Sequence, residues 1–225
     1  MGKIIVIEGT DSSGKATQAE LLYEHLKKAG NNVIKLSFPD YESDSSALIK
    51  MYLNGDFGKT ADSVSPEIAS IFYASDRYAS FKTKWQNFYK KKDSIIVFDR
   101  YVTSNMVHQA AKIDDIPKKE EYLEWVYKLE YEIFGLPRPD KVIFLKMPPE
   151  KAAELMKNRP NKITNEQKKD IHESDIEYLK KCYENALFVS QKYNWEEIDC
   201  VECGDIKSME QIKYEIIEKL ESGRK

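Results

Sequence analysis

Apolar residues fall along this chain in two rhythms. Short continuous runs, rich in β-branched side chains, occupy 3–7, 94–98 and 141–146, as expected of strands covered on both faces. Longer stretches carry helical spacing: in 15–29, Ala19, Leu22 and Leu26 stand at i, i+3 and i+7, and Gly30 marks a stop. A second strand is predicted over 32–38. A long helix is predicted from Ser65 and Pro66, an N-cap and first-turn pair, running through Ile71, Trp85 and Phe88. The same reading places helices over 118–134 (ending at Gly135), 149–158, 173–192 and 208–220, and a fifth strand over 195–201. Pro137 and Pro139 punctuate the approach to the fourth strand. Strands alternating with helices predict βαβ units and a parallel sheet. Neither an internal repeat nor a low-complexity linker interrupts the pattern, so one domain over residues 1–225 is expected.

Composition narrows the partners. The 225 residues are 41% hydrophobic and 32% charged, suited to a globular chain. A net charge of −3 argues against broad nucleic-acid binding. No apolar stretch approaches the ~20 residues that span a bilayer, so no membrane partner is expected. Met1-Gly2-Lys3 leads straight into an apolar run too short for a secretory signal, and Val6 stands where a myristoylation signal needs Ser or Thr. Cys182, Cys200 and Cys203 form no disulfide framework; Cys200-Val-Glu-Cys203 lacks a second pair for a metal, and reduced cysteines in a cytoplasmic protein are the expectation.

The strongest motif lies between the first strand and the first helix: Gly9-Thr10-Asp11-Ser12-Ser13-Gly14-Lys15, a G-x-x-x-x-G-K phosphate loop in the context that pattern requires. Converging backbone N–H groups and a helix N-terminus attract phosphate, and Lys15 can reach the β- and γ-phosphates. The ATP-binding set is therefore residues 9–15 with Ala16 and Thr17. The pattern departs at Ala16, where a Ser or Thr hydroxyl would ligate Mg²⁺; Thr17 points about 100° away and is no simple substitute. Water, phosphates and a carboxylate from elsewhere could hold the metal.

Asp99-Arg100-Tyr101 follows the strand ending at Phe98. Ligands of open parallel sheets sit beyond the carboxyl ends of the strands, so this triplet should face the loop. Asp99 is a candidate to orient Mg²⁺ or its water, and Arg100 to clamp phosphate with its donor fork. The segment from Phe98 to Asn105 and on to Gln109 resembles the D-R-Y-x-x-S motif of thymidylate kinases. Glu8-Gly9-Thr10-Asp11 through Gly14-Lys15-Ala16-Thr17-Gln18 is similar to that family's phosphate loop. Phe38-Pro39, Gly135-Leu136-Pro137-Arg138-Pro139-Asp140 and Asn194-Trp195 match further along in the family's order.

That resemblance implies a P-loop NTPase-type three-layer α/β/α fold with a five-stranded parallel sheet and a short lid over about 159–170. It implies transfer of the ATP γ-phosphoryl group to dTMP, with Mg²⁺ as cofactor and a homodimer as the assembly. By matching positions, Asp11 is expected near the 3′-hydroxyl of the monophosphate sugar. Tyr73 is expected to stack on the base and Arg77, four residues on, to read its edge; core packing would equally suit Tyr73. Phe38, Pro39, Tyr41, Ser104, Asn105 and Gln109 complete the expected substrate contacts, and Arg159 is the expected lid cation, with Lys162 behind it. Catalysis would rest on Lys15, Arg100, Asp99 and Arg159. Two departures from the family pattern are Asp40, in place of an arginine after Phe38-Pro39, and His108, where tyrosine is frequent. A deoxynucleoside kinase and a nucleotide-binding regulatory protein without transfer activity remain alternatives at this level.

Overall fold

In a computed structural model of the protein, residues 1–156 and 176–222 are described. Five parallel strands, β1 (Lys3–Glu8), β2 (Asn32–Ser37), β3 (Ser94–Asp99), β4 (Lys141–Lys146) and β5 (Glu196–Asp199), form one sheet in the order β2-β3-β1-β4-β5. Successive side chains of a strand point to opposite faces, and here each face has its own core. Ile4, Val6, Ile96, Phe98 and Val142 face one way; Ile5, Ile7, Val97, Ile143 and Leu145 face the other.

The first face is covered by α3 (Pro66–Ser80), α5 (Thr103–His108), α6 (Ile116–Tyr127) and α8 (Ile176–Lys192), through Phe81, Trp85, Met106, Leu123, Val126 and Val189 among others. The second is covered by α1 (Lys15–Lys28), α7 (Pro149–Met156) and α9 (Met209–Ser222), through Ala19, Leu22, Ala152, Ile212 and Ile216. Each large apolar side chain buried this way contributes about 1.5–3 kcal/mol. The three-layer α/β/α arrangement with a five-stranded parallel sheet is the expected one. The lid segment expected over 159–170, with Arg159 and Lys162, lies outside the described residues.

Local chemistry accounts for the element ends. Ser65 Oγ accepts from the Ile68 N–H at 3.3 Å with Pro66 in the first turn. Asp115 Oδ1 likewise accepts from Lys118 N, which starts α6 two residues earlier than expected, because Pro117 is tolerated in a first turn. The long helix from Pro66 widens to i→i−5 hydrogen bonding over Phe81–Trp85 before a last turn, α4 (Gln86–Tyr89).

Three elements depart from expectation. Two short helices, α2 (Ala47–Leu53) and α5, occupy stretches to which the sequence pattern assigned no element, and the fifth strand stops at Asp199. Beyond it, β6 (Val201–Glu202) and β7 (Asp205–Ile206) form an antiparallel hairpin. Cys203 and Gly204 make its turn, with φ of 51° and 90°, the positive pair that such two-residue turns require. Cys200 is therefore buried and Cys203 exposed, both as free thiols.

Candidate active site

Strands β1 and β3 end level, with Ile7 opposite Asp99 and the Arg100 N–H donating to the Ile7 carbonyl at 3.2 Å. The phosphate loop and the Asp99-Arg100 segment therefore leave the sheet side by side. The loop turns through positive φ at Ser12 (60°) and Gly14 (85°), which frees α1 to start at Lys15 with its N-terminus toward the cleft. Gly9 has no room for a side chain: a Cβ there would meet Ser13 Oγ at 2.4 Å and the Leu145 carbonyl at 3.3 Å. Lys15 lies buried along the loop, its Nζ donating to the Thr10 carbonyl at 2.9 Å and standing 3.8 Å from Asp11. Thr10, Ser12 and Ser13 are buried as well, whereas Ala16 and Thr17 are exposed at the helix start.

Arg100 is the hub of the cleft. It adopts φ of +68°, a conformation that non-glycine residues rarely hold and that gathers at functional sites. Its Nη2 donates to Asp11 Oδ1 at 2.7 Å, its Nη1 bonds His108 Nε2 at 2.7 Å, and Glu8 Oε1 lies 3.7 Å from Nη1. Burial pulls the guanidinium pKa down, but Asp11, Glu8 and Asp99 outweigh it and raise the value overall, so the group stays charged. Asp99 accepts from Ser37 Oγ through one oxygen at 3.2 Å. Its other oxygen, Oδ1, is buried with no hydrogen-bond partner among the described residues, as is Ser13 Oγ.

Glu8 ties the two segments to α5. Fully buried, it accepts from the Gly9 N–H at 3.0 Å through Oε1, and from the Thr103 and Ser104 hydroxyls, each at 2.7 Å, through Oε2. Neither Glu8 nor Thr103 stood among the candidate site residues. The available signal was a carboxylate on the residue before the first loop glycine, where a buried charge needs several donors.

The remaining candidates line the outer part of the cleft. Phe38 is buried, stacks on Phe98 and meets Tyr101 at a 40° tilt, with ring centroids 5.6 and 6.3 Å apart, and precedes Pro39 through a cis peptide. Tyr41 is half-buried against the small cluster of Ile49, Tyr52 and Leu53, and Tyr73 packs partly against the same cluster. Asp40 is held from two sides: its N–H donates to Asp76 at 2.8 Å and its carboxylate pairs with Lys84. Arg77 is 1% exposed, its Nε and Nη2 donating to Glu130 at 2.6 and 2.7 Å. Asn105 donates from Nδ2 to the same carboxylate at 2.9 Å and to the Ser70 carbonyl at 3.3 Å. Gln109 is buried with its Oε1 unpartnered among the described residues. The structure thus joins the loop, Arg100 and Ser104 through Asp11 and Glu8. Arg77 and Asn105 meet at a second carboxylate, Glu130, deeper in the helical layer. Arg159 lies outside the described residues.

Comparison with known proteins agrees with this geometry. The chain is 33% identical over 175 residues to the thymidylate kinase of Mycobacterium tuberculosis, covering 77% of this chain and 79% of that protein. It is 28% identical over 224 residues to the thymidylate kinase of Plasmodium falciparum, covering 97% and 90%. The structure of the Candida albicans thymidylate kinase shares the fold with a TM-score of 0.74 at 23% identity, covering 99% of this chain and 92% of that one. The thymidylate kinase family pattern matches residues 7–201, a span that takes in the end of β1 with Glu8, the loop, Arg100 and the other four strands of the sheet, and the chain belongs to that family.

Proposed function

We propose that this protein is an ATP-dependent dTMP kinase, transferring the γ-phosphoryl group of ATP to dTMP to give dTDP and ADP. The observation that carries the reading is the Arg100–Asp11 bond of 2.7 Å, which sets the cation for an acceptor phosphate directly against the loop suited to the donor. Two polyanions repel, and a site that aligns them needs cations at their junction. Lys15 serves the donor phosphates from inside the loop, and Arg100 serves the acceptor phosphate. No general base is required, because the acceptor oxygen is already anionic.

Thr10, Ser12, Ser13 and Gly14 present backbone around the donor, with Ala16 and Thr17 opening the helix behind it. Phe38, Pro39 and Tyr41 wall the acceptor, and Asp11 stands at its sugar. Tyr73 flanks the base; Arg77, Ser104, Asn105 and Gln109 line the base and sugar side from the facing helices. Arg77 reaches the base only with the edge of its guanidinium that Glu130 leaves over. Arg159 is the proposed lid cation.

Mg²⁺ suits this donor set. Among the described residues no cluster of three metal-ligating side chains exists, but the buried, unpartnered Oδ1 of Asp99 can accept from a metal-bound water, and Mg²⁺ keeps several waters. When bound, the ion neutralises charge on the transferring phosphates. Asp99 would hold a water of the ion, in place of the hydroxyl missing at Ala16.

A homodimer in the cytoplasm completes the proposal. Ile68, Ile71 and Tyr78 form an exposed apolar stripe on α3, flanked by exposed Leu48 and Met51 of α2, a surface suited to self-association. No described helix is long and apolar enough to cross a membrane.

The test is a coupled ADP-release assay with dTMP, dUMP and thymidine in parallel. ADP release with dTMP is expected, with Lys15→Ala reducing kcat on the order of 10³-fold while the circular dichroism spectrum stays folded. Turnover of thymidine but not dTMP would assign a nucleoside kinase. Binding of both nucleotides without turnover would assign a regulatory protein.

A further inference from the structure

Arg100 has two acceptors of different kind. Asp11 is a carboxylate on the mobile-phosphate side of the cleft; His108 is an imidazole on α5, 2.7 Å from Nη1 and 7% exposed. A guanidinium has five N–H donors and no acceptor. The short contact therefore requires a lone pair on His108 Nε2, which puts the ring proton on Nδ1 and leaves the ring neutral.

The backbone that carries the ring is held from behind. Tyr178 of α8 donates its hydroxyl to the His108 carbonyl at 2.8 Å, and Asn185 donates to the Met106 and Val107 carbonyls at 2.9 and 2.7 Å. Three backbone carbonyls of α5 are thereby tied to one neighbouring helix, which fixes the main chain from which the imidazole reaches Arg100. A neutral acceptor at this point orients the fork without adding a further negative charge to those of Asp11 and Glu8.

Resting on the dTMP kinase reading, we infer that His108 is a positioning residue: as a neutral Nε2 acceptor it fixes Nη1 of Arg100, so that Nη2 can exchange Asp11 for an oxygen of the acceptor phosphate without the fork turning. Protonation of His108 would set N–H against N–H and two cations 2.7 Å apart, releasing the fork. Among the described residues the ring meets Arg100, with Asp11 and Glu8 behind it on the β1 side; Tyr178 of α8 bonds the His108 main chain, and Cys182 lies beside Tyr178. Lys112 stands beyond them in the turn that follows α5. Burial raises the pKa of both Tyr178 and Cys182, and Lys112 titrates near 8. All three keep their protons on the acid side of neutrality, where histidine changes charge.

The test compares His108→Gln, whose side-chain amide brings a non-titrating acceptor to the same reach, with His108→Phe. His108→Phe should lower kcat/KM for dTMP by at least on the order of tenfold at about pH 7.5, and His108→Gln should recover most of that loss. Substrate phosphates titrate near pH 6 in every variant, so the readout is the wild-type profile divided by the Gln profile. That quotient should stay level near neutrality and fall at acid pH, where the ring gains a proton. Equal rates for Phe and Gln, or a quotient that rises as pH falls, overturns the inference. A ¹H–¹⁵N long-range spectrum decides the pairing independently of turnover: the chain has only three histidines, and the resonance lost in His108→Gln should report Nδ1–H with bare Nε2. An Nε2–H tautomer overturns the inference. Should dTMP turnover be absent while the Nδ1–H form is present, the kinase reading falls and the His108–Arg100 pairing stands.

Discussion

Two buried arginines of this protein do opposite things with the same chemistry. Arg77 gives two donors of its fork to one carboxylate, Glu130, in a dry helical layer where the acid is fully buried. Arg100 splits its fork between Asp11 and His108, groups on different elements, with 13% of its side chain open to the cleft. Both stay charged, because the neighbouring carboxylates outweigh the cost of burial. A fork closed on one partner is a fixture that locks α3 to the segment carrying Glu130. A fork divided between partners can exchange one of them for a ligand oxygen without being left unpaired. The arrangement of acceptors, more than the residue type, sets how much of each fork is left for a ligand.

Four substitutions can break or sharpen that contrast. The largest effect is expected from Glu130→Leu, which strands Arg77 without a counter-charge: about 3–5 kcal/mol lost in urea unfolding. Next comes Arg100→Ala, expected to cost on the order of 10²- to 10³-fold in kcat/KM for dTMP while circular dichroism reports a folded chain; unfolding instead of inactivity would erase the distinction. Combining Arg77→Met with Glu130→Leu should return stability to within about 2 kcal/mol of wild type, since an apolar pair of similar volume replaces the buried ions. If the double variant stays as unstable as the single one, Arg77 is more than half of a framework pair.

The smallest effect concerns a cation of a third kind. Lys112 donates to the Tyr52 hydroxyl at 2.8 Å and to the Val64 carbonyl at 3.1 Å, and burial lowers its pKa to about 8. With the folded value below the unfolded one, near 10.4, the unfolded chain binds more protons between the two, so stability should rise with pH across that window. Below about pH 8 the penalty of holding the charge is fully present. Lys112→Met should flatten that rise in unfolding midpoints taken between about pH 7.5 and 10, and an unchanged slope would argue against it.

Much of this was legible before folding. The runs at 3–7, 94–98 and 141–146 announced buried strands, and the glycine spacing at Gly9 and Gly14 announced the phosphate loop. Helices α2 and α5 were missed for a physical reason: seven and six residues are too few for a helical period to stand out, and such short helices are held by tertiary contacts rather than by their own propensity. The fifth strand was drawn too long because its apolar run continues into the hairpin beyond Cys200. In the site, Lys15, Asp99 and Arg100 followed from motif and strand context. Glu8 and Glu130 did not, because their partners stand 25 to 96 positions away, and the role of His108 did not, because its partner Arg100, eight positions earlier, reaches it only once α5 is folded. Tyr73, for which packing and ligand contact were both open, lies half-buried between the two.

The level ending of β1 and β3 makes strand length a calibrated dimension. One residue advances a strand by about 3.3 Å and reverses the face of every side chain after it. A single insertion within 94–99 would carry Arg100 past Asp11 and turn it toward the opposite layer, while much of the sheet could still pair. Insertions in the exposed turn at 90–93 shift no such gauge. Chain length in β3 is thus held as tightly as the identity of Arg100, and counting errors there would be silent in the fold and fatal to turnover.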